Sequence, residues 1–216
     1  MKNFLIVIPA FNEAKTIGKL IYKINRKNDV LVIDDGSSDG TDRIAKQYGA
    51  KVIKSKKNFG VDYSINLGFK YAIKKKYKYV ITIDADGQHS VKDLNKIIKI
   101  LKNKKKTDLI ISVRSNLPRF SEKIFSLYTS IRFNISDLLS GLKAYNLDIF
   151  KNYGTYDTFK SIGTELSAFA IENDYKFKTI KINILKRKDS PRLGGILLGN
   201  FRILKALINL SFKNFK

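Results

Sequence analysis

Asp84-Ala85-Asp86-Gly87-Gln88-His89 follows the run Tyr79-Val80-Ile81-Thr82-Ile83 without a gap. Two carboxylates one residue apart repel each other unless a cation lies between them. Hard oxygen donors of this kind suit Mg²⁺ or Mn²⁺, which keep part of their water shell and bind substrate phosphates as well. The apolar and β-branched run before them reads as a buried strand that delivers Asp84 and Asp86 to its C-terminal end. The same tetrapeptide also suits a solvated Asp-Ala-Asp-Gly turn, so the rest of the chain must decide between the two.

The elements that must position the pair can be read in order. Residues 4–8 are continuously apolar, as a strand covered on both faces requires, and Pro9-Ala10-Phe11-Asn12-Glu13 ends them. Ile17, Leu20, Ile21 and Ile24 recur at helical spacing. Residues 30–33 predict a second strand, stopping at Asp34-Asp35-Gly36-Ser37-Ser38-Asp39-Gly40-Thr41, a turn rich in capping residues that opens a short helix closed by Gly49. Residues 51–54 predict a third strand. Val61, Ile65, Gly68 and Ala72 then form the seam of the helix after Asn58-Phe59-Gly60. Beyond the acidic pair, Ser90-Val91-Lys92-Asp93 resembles a capping box, and Val91, Leu94, Ile97, Ile98 and Leu101 make one apolar helix face. Residues 109–113 predict a fifth strand that stops at Arg114. This alternation predicts an α/β fold with a mainly parallel, Rossmann-like sheet and helices on both faces.

Four of these strands stop at polar residues: Asn12 and Glu13, Asp34 and Asp35, Asp84 and Asp86, and Arg114. In open α/β sheets ligands bind outside the carboxyl ends of the strands, so the four together predict a site. Neither G-x-x-x-x-G-K-[ST] nor G-x-G-x-x-G is present, which disfavours P-loop and standard dinucleotide chemistry. The acidic pair is then left to hold phosphate through a metal, with the second-strand carboxylates free to accept hydrogen bonds from a base or ribose. That describes a nucleotide-diphosphate site, where a metal on the phosphate oxygens would neutralise a leaving group.

Composition sets outer limits. The 216 residues fit one domain with a sizeable core. The lack of cysteine excludes disulfides, thiolate zinc sites and cysteine nucleophiles, and a single histidine excludes multi-histidine metal sites. The formal charge of +23 points to polyanionic partners: phosphorylated substrates, anionic lipid or nucleic acid. From Tyr175 onward eleven basic residues face one acid, Asp189, and large apolar residues are interleaved with them. No signal peptide is evident, and no uncharged stretch approaches the ~20 residues that span a bilayer. A chain on the cytoplasmic side, soluble or peripheral on a membrane, is expected.

Residues 7–13, 32–41 and 84–89, in that order and at that spacing, resemble the three signatures of family 2 glycosyltransferases with the GT-A fold. Within that family the chain is most similar to polyprenyl-phosphate glycosyltransferases of the dolichol-phosphate mannosyltransferase type. Asp137-Leu138-Leu139-Ser140-Gly141-Leu142-Lys143-Ala144-Tyr145 looks like that group's Asp…Ser-Gly-Phe-Arg segment. The resemblance covers roughly residues 4–192. It implies that Pro9, Ala10, Phe11, Glu13, Asp34, Asp35, Asp84, Ala85 and Asp86 line the nucleotide sugar, a UDP- or GDP-sugar. Asp84, Asp86 and Gln88 would hold Mg²⁺ or Mn²⁺, and Arg114 and Lys143 would face phosphates. It further implies inverting transfer to a lipid phosphate, with Asp86 catalytic and Asp137 the candidate base if one is needed, or else a helix-end aspartate. Glu165 would orient a basic partner, and Arg187 and Arg192 would hold the acceptor phosphate. Three departures stand out. Val61-Asp62 replaces the family's Lys-Gly, Ser90-Val91 replaces Asp-Pro, and Lys143 replaces an arginine, losing bidentate phosphate binding.

Two segments bear on the acceptor. Phe120, Ile124, Leu127, Tyr128, Ile131 and Ile135 recur at helical intervals. A core-facing helix explains them, and an amphipathic helix resting on a membrane is the alternative. Residues 1–192 are expected to form the catalytic domain, and residues 193–216 a basic amphipathic helix that lies on an anionic membrane surface, packs on its own domain or joins a homo-oligomer. A glycan or other saccharide acceptor stays open within the same fold. A non-catalytic homologue and a basic nucleic-acid-binding module are the remaining readings; no nucleic-acid motif supports the last.

Overall fold

The computed structural model describes residues 2–24, 28–103, 107–158, 160–185 and 196–215. Seven strands form one sheet: β1 (Lys2–Ala10), β2 (Val30–Asp34), β3 (Lys51–Lys54), β4 (Tyr77–Thr82), β5 (Leu109–Arg114), β6 (Lys143–Asn146) and β7 (Phe177–Ile182). Eight helices are interspersed among them: α1 (Ala14–Ile24), α2 (Thr41–Gln47), α3 (Val61–Lys74), α4 (Val91–Lys102), α5 (Phe120–Phe133), α6 (Leu147–Tyr153), α7 (Glu165–Glu172) and α8 (Ile196–Ser211). The strand order is β3-β2-β1-β4-β6-β5-β7. Strands β3, β2, β1 and β4 pair in parallel, β6 runs antiparallel to both its neighbours, and β7 pairs in parallel with β5. The chain turns from β1 leftward to β2 and β3, then crosses to β4 on the other side. The crevice between β1 and β4 is thus the topological switch point, where doubly wound sheets bind ligands.

Strand alternation divides the core in two. Leu5 and Val7 of β1 join Ile65 and Phe69 of α3 and buried residues of α5 to α8 on one face. Ile6 and Ile8 turn to the other face and meet Ile17, Leu20 and Ile21 of α1 with Leu94, Ile97 and Ile98 of α4. Continuous apolar strands are what two covered faces demand. The N-cap half of the expected capping box forms: Ser90 Oγ accepts the Asp93 amide at 3.1 Å and opens α4, while the Asp93 carboxylate accepts from the Ser90 hydroxyl.

Two strands go beyond the five expected. β6 reads Lys-Ala-Tyr-Asn, with no apolar run to betray it. β7 is an edge strand, mostly exposed, whose Phe-Lys-Thr-Ile-Lys-Ile sequence merges with the basic composition around it.

The orientation of α5 corrects the reading of a core-facing apolar stripe. Its buried positions are Ser121, Glu122, Phe125, Thr129 and Phe133, while Phe120, Leu127 and Ile131 are exposed, Ile131 at 80%. Polar partners explain the inversion: Glu122 binds Arg114, and Ser121 binds Asn200 of α8. The C-terminal helix packs on its own domain through Ile203, Ala206 and Leu210, yet its Leu197 and Phe201, and Phe212 just beyond its end, remain exposed. No helix among the described residues is long and apolar enough to cross a membrane.

Candidate active site

The loops at the ends of β1 and β2 are stitched together. Asn12 takes a left-handed conformation, φ 54°. Its amide donates to Ser37 Oγ at 2.8 Å, and its side-chain oxygen accepts from the Ser38 amide at 3.0 Å. The Glu13 amide donates to Thr41 Oγ1 at 2.8 Å, and the Glu13 carboxylate accepts from Thr16 Oγ1 at 2.8 Å inside the start of α1. Pro9 and Ala10 are the last residues of β1, and Phe11 stands partly exposed just beyond.

Asp34 and Asp35 are both buried. Asp34 Oδ1 accepts from the Ser37 amide, whereas Oδ2 has no hydrogen-bond partner and lies 3.7 Å from Lys54 Nζ. Both oxygens of Asp35 accept backbone amides, from Phe59 at 2.9 Å and Gly60 at 2.7 Å. A ribose or base would therefore meet Asp35 with two bonds already made. The side chain builds the wall of the crevice by pinning the chain after β3, where Gly60 at φ 101° turns into α3.

The acidic pair sits where its strand predicts. After β4, the Ile83 amide still donates to Val7 O beside β1, and Asp84 and Asp86 emerge half-buried at the switch point with Ala85 buried between them. Asp84 Oδ2 lies 3.1 Å from His89 Nε2, and the buried His89 Nδ1 has no partner. Burial pushes the Asp84 carboxyl up. The His89 contact and the charges of Arg114 and Lys143 outweigh it and hold the acid below its usual range. Gly141 clears the space: a Cβ there would fall 2.3 Å from Asp84 Oδ2. Asp86 Oδ1 accepts from the Gln88 amide at 3.0 Å. Gln88 is in turn paired with Leu185, giving and taking backbone and side-chain bonds at 3.0 and 3.3 Å.

Arg114 and Asp137 form a closed pair. The guanidinium donates to Asp137 Oδ2 at 2.7 Å and Oδ1 at 3.1 Å, and to Glu122 at 3.1 Å. Asp137 also accepts the backbone amides of Arg114 and Leu139. Burial lowers the Arg114 pKa, but the two carboxylates override it and raise the value above the ordinary arginine range. A carboxylate with this many donors and 2% exposure is the anchor of Arg114. Of the two readings of Asp137, candidate base or helix-end aspartate, these bonds fit a structural anchor.

Lys143 does not face the open edge. It is fully enclosed on β6, its Nζ donates to Gly163 O at 2.7 Å, and burial depresses its pKa to about 8 against the opposing pull of Asp137, Asp84 and Asp62. Asp62, the residue departing from the family pattern, is pushed up to about 7 by burial and then by Asp157. A loop that the motifs leave unnoticed completes this layer. Asp157 accepts from the Ser161 and Gly163 amides, and Ser161 Oγ caps α7 through the Thr164 and Glu165 amides. Lys160 and Ile162 both have positive φ there, costly conformations for residues with a Cβ. Glu165 is buried and accepts from Tyr153 and Thr158. Short polar residues of this kind carry no periodic signal, so only the Glu165 position was open to sequence reading. Arg187 and Arg192 lie outside the described residues.

A metal at Asp84 and Asp86 can be tested against the donor set. No cluster of three or more His, Cys, Asp or Glu fit to hold a metal occurs among the described residues. A pair of part-exposed carboxylates with one held ionised is instead the protein half of a Mg²⁺ or Mn²⁺ site that takes its other oxygens from phosphate and water. The residues fit the ion.

These features define a doubly wound α/β fold with an acidic pair at its switch point, and comparison with known proteins gives it a family. The model of glycosyl transferase family 2 matches residues 5–154, and the chain belongs to that family. It is 30% identical to an uncharacterised protein of Methanocaldococcus jannaschii, over 94% of this chain and 90% of that one. The UDP-N-acetylglucosamine–dolichyl-phosphate N-acetylglucosaminyltransferase of Methanococcus voltae is 26% identical, over 97% of this chain and 96% of its own. The undecaprenyl-phosphate mannosyltransferase of Micrococcus luteus is 27% identical over 82% and 78%. Among solved structures, glucosyl-3-phosphoglycerate synthase from Mycobacterium tuberculosis, in complex with Mn²⁺, UDP and phosphoglyceric acid, superposes with TM-score 0.77 at 17% identity, over 99% of this chain and 80% of that one. That likeness establishes the fold. The chain is a family 2 glycosyltransferase with the GT-A architecture.

Proposed function

We propose that this enzyme transfers a sugar from a nucleoside-diphosphate sugar to a polyprenyl monophosphate, with inversion, at an anionic membrane surface. The acidic pair at the switch point carries the donor half of the reading. The names of full-length relatives support the acceptor half. Pro9, Ala10, Phe11, Glu13 and the Asp34–Asp35 turn line the nucleoside end of the crevice, and Asp84, Ala85 and Asp86 the diphosphate end. Asp84 and Asp86, with Gln88 beside them, hold Mg²⁺ or Mn²⁺, which neutralises the departing diphosphate.

The acceptor phosphate is already anionic near neutral pH. One of its oxygens attacks the anomeric carbon, the bond from that carbon to the donor diphosphate breaks, and the nucleoside diphosphate leaves with the electron pair. No base is needed, which agrees with an Asp137 committed to Arg114. Arg114 and Lys143 act from behind the site, keeping Asp84 ionised. A panel of UDP-, GDP- and dTDP-sugars against polyprenyl phosphate and soluble saccharides, read as nucleotide release, tests the assignment. Release should require polyprenyl phosphate and a divalent ion. Turnover on soluble saccharides alone, or full activity in EDTA, overturns it.

A further inference from the structure

Half-exposed apolar residues are ordinary on any surface, but here they concentrate on two helices. On α5, Phe120, Leu127 and Ile131 point outward, at relative positions 0, 7 and 11, one stripe of a helix. On α8, Leu197, Phe201 and Ile208 do the same at 0, 4 and 11, with Phe201 at 64% exposure. The two helices are packed together and run in the same direction. At their N-terminal ends Ser121 binds Asn200 Oδ1 at 2.5 Å. At the far ends Arg132 donates to the carbonyl oxygens of Leu210 at 2.8 Å and Lys213 at 2.7 Å. The α5 stripe lies about a quarter turn from Ser121 and Arg132, and the α8 stripe about a quarter turn, in the opposite sense, from Asn200. For parallel neighbours that puts both stripes on one face, which begins where Arg114 ties Glu122 of α5 to the end of β5.

The charge on this face has one sign. Lys123, Arg202 and Lys205 are exposed among the apolar residues. The only acid on α5 is Glu122, buried against Arg114, and α8 has none. A second copy of the same face would bring these cations together in an apolar contact, which costs energy; an anionic lipid surface neutralises them and takes up the side chains between.

We propose that α5 and α8 together form a docking face for anionic lipid, laying the molecule on the bilayer with the N-terminal ends of both helices beside the open edge of the sheet. This rests on the proposed lipid-linked acceptor for its purpose, but it is measured without substrate. The full chain is partitioned onto phosphatidylglycerol-containing and pure phosphatidylcholine vesicles. Binding should require the anionic lipid. Ile131→Asp or Phe201→Asp should lower the partition coefficient at least about tenfold, since each removes the burial of a large apolar side chain and adds a repelled charge. Lys205→Gln should lower it about fivefold. Tyr22→Asp, at the 72% exposed aromatic of α1, should leave it unchanged. Sugar transfer to a short, water-soluble polyprenyl phosphate should persist in Ile131→Asp and Phe201→Asp, so a failed acceptor assignment and a failed docking face give different results. Unaltered binding in Ile131→Asp and Phe201→Asp, an equal loss in Tyr22→Asp, or a dimer in solution that these two variants dissociate while vesicles are ignored overturns the proposal.

Discussion

At the strand ends, polar groups are consumed by one another. Asn12 spans to Ser37 and Ser38, Glu13 meets Thr41, Asp35 holds Phe59 and Gly60, and Arg114 closes on Asp137 and Glu122. The face of α5 and α8 is the reverse: a few polar clamps fix the two helices to each other and leave a field of apolar side chains without partners. The difference fits the roles proposed for the two surfaces. A small charged ligand is discriminated by donors and acceptors fixed in advance, so the edge is crosslinked. A fluid surface offers no fixed geometry to match, so area and charge suffice.

That contrast can be broken from either end. The largest effect is expected from Arg114→Ala, which strands Asp137 and Glu122 as buried charges. Urea unfolding should show a loss of about 3–5 kcal/mol, and a loss below 1 kcal/mol would mean that the crosslinked edge is not what holds β5 to α5. Asp86→Ala should cut kcat/KM at least about 100-fold while leaving vesicle partition intact; a parallel fall in both would merge two regions that the structure separates. Gly141→Ala puts a methyl into the space of the Asp84 carboxylate. It should weaken metal-dependent donor binding by roughly 10- to 100-fold, as followed by calorimetry with Mn²⁺ and UDP- or GDP-sugar.

The smallest effect concerns Asp62. Its folded pKa, about 7, lies above the ordinary 3.8, so the folded state holds the proton more tightly than the unfolded one. Its contribution to stability is then greatest at low pH, is lost as pH rises through that interval, and is constant above it. Asp62→Asn should raise Tm by on the order of 2–4 °C at pH 8 and by nothing near pH 4. An equal gain at both values would assign the change to packing and not to charge.

The legible part of this protein is the part written in local order. Each of β1, β2 and β4 is an apolar run that stops at a polar residue, and such a stop marks both the strand and its contribution to the edge. The acidic pair, the Ser90 cap of α4 and the gathering of carboxylates at one edge of the sheet follow from spacing along the chain. Less was legible where one residue's role depends on a partner far away in sequence. Asp35 looked free and is bonded to the turn after β3. Arg114 looked like a phosphate contact and is bound to Asp137, twenty-three residues on. The four-residue β6 has no pattern of its own and exists because β4 and β5 flank it.

The sequence by itself therefore determined the α/β alternation, the family and the carboxylates at the strand ends, because covalent order and period 2 or 3.6 govern these. Only the tertiary structure decided which way α5 turned. Its apolar stripe suggested the core, but burial goes to the face whose polar groups find partners, and Glu122 and Ser121 had theirs in Arg114 and Asn200. Turning α5 the other way would take Glu122 from the Arg114 guanidinium, and depriving a buried charge of a partner costs more than exposing a leucine or isoleucine, so the acid lies inward and Leu127 and Ile131 outside.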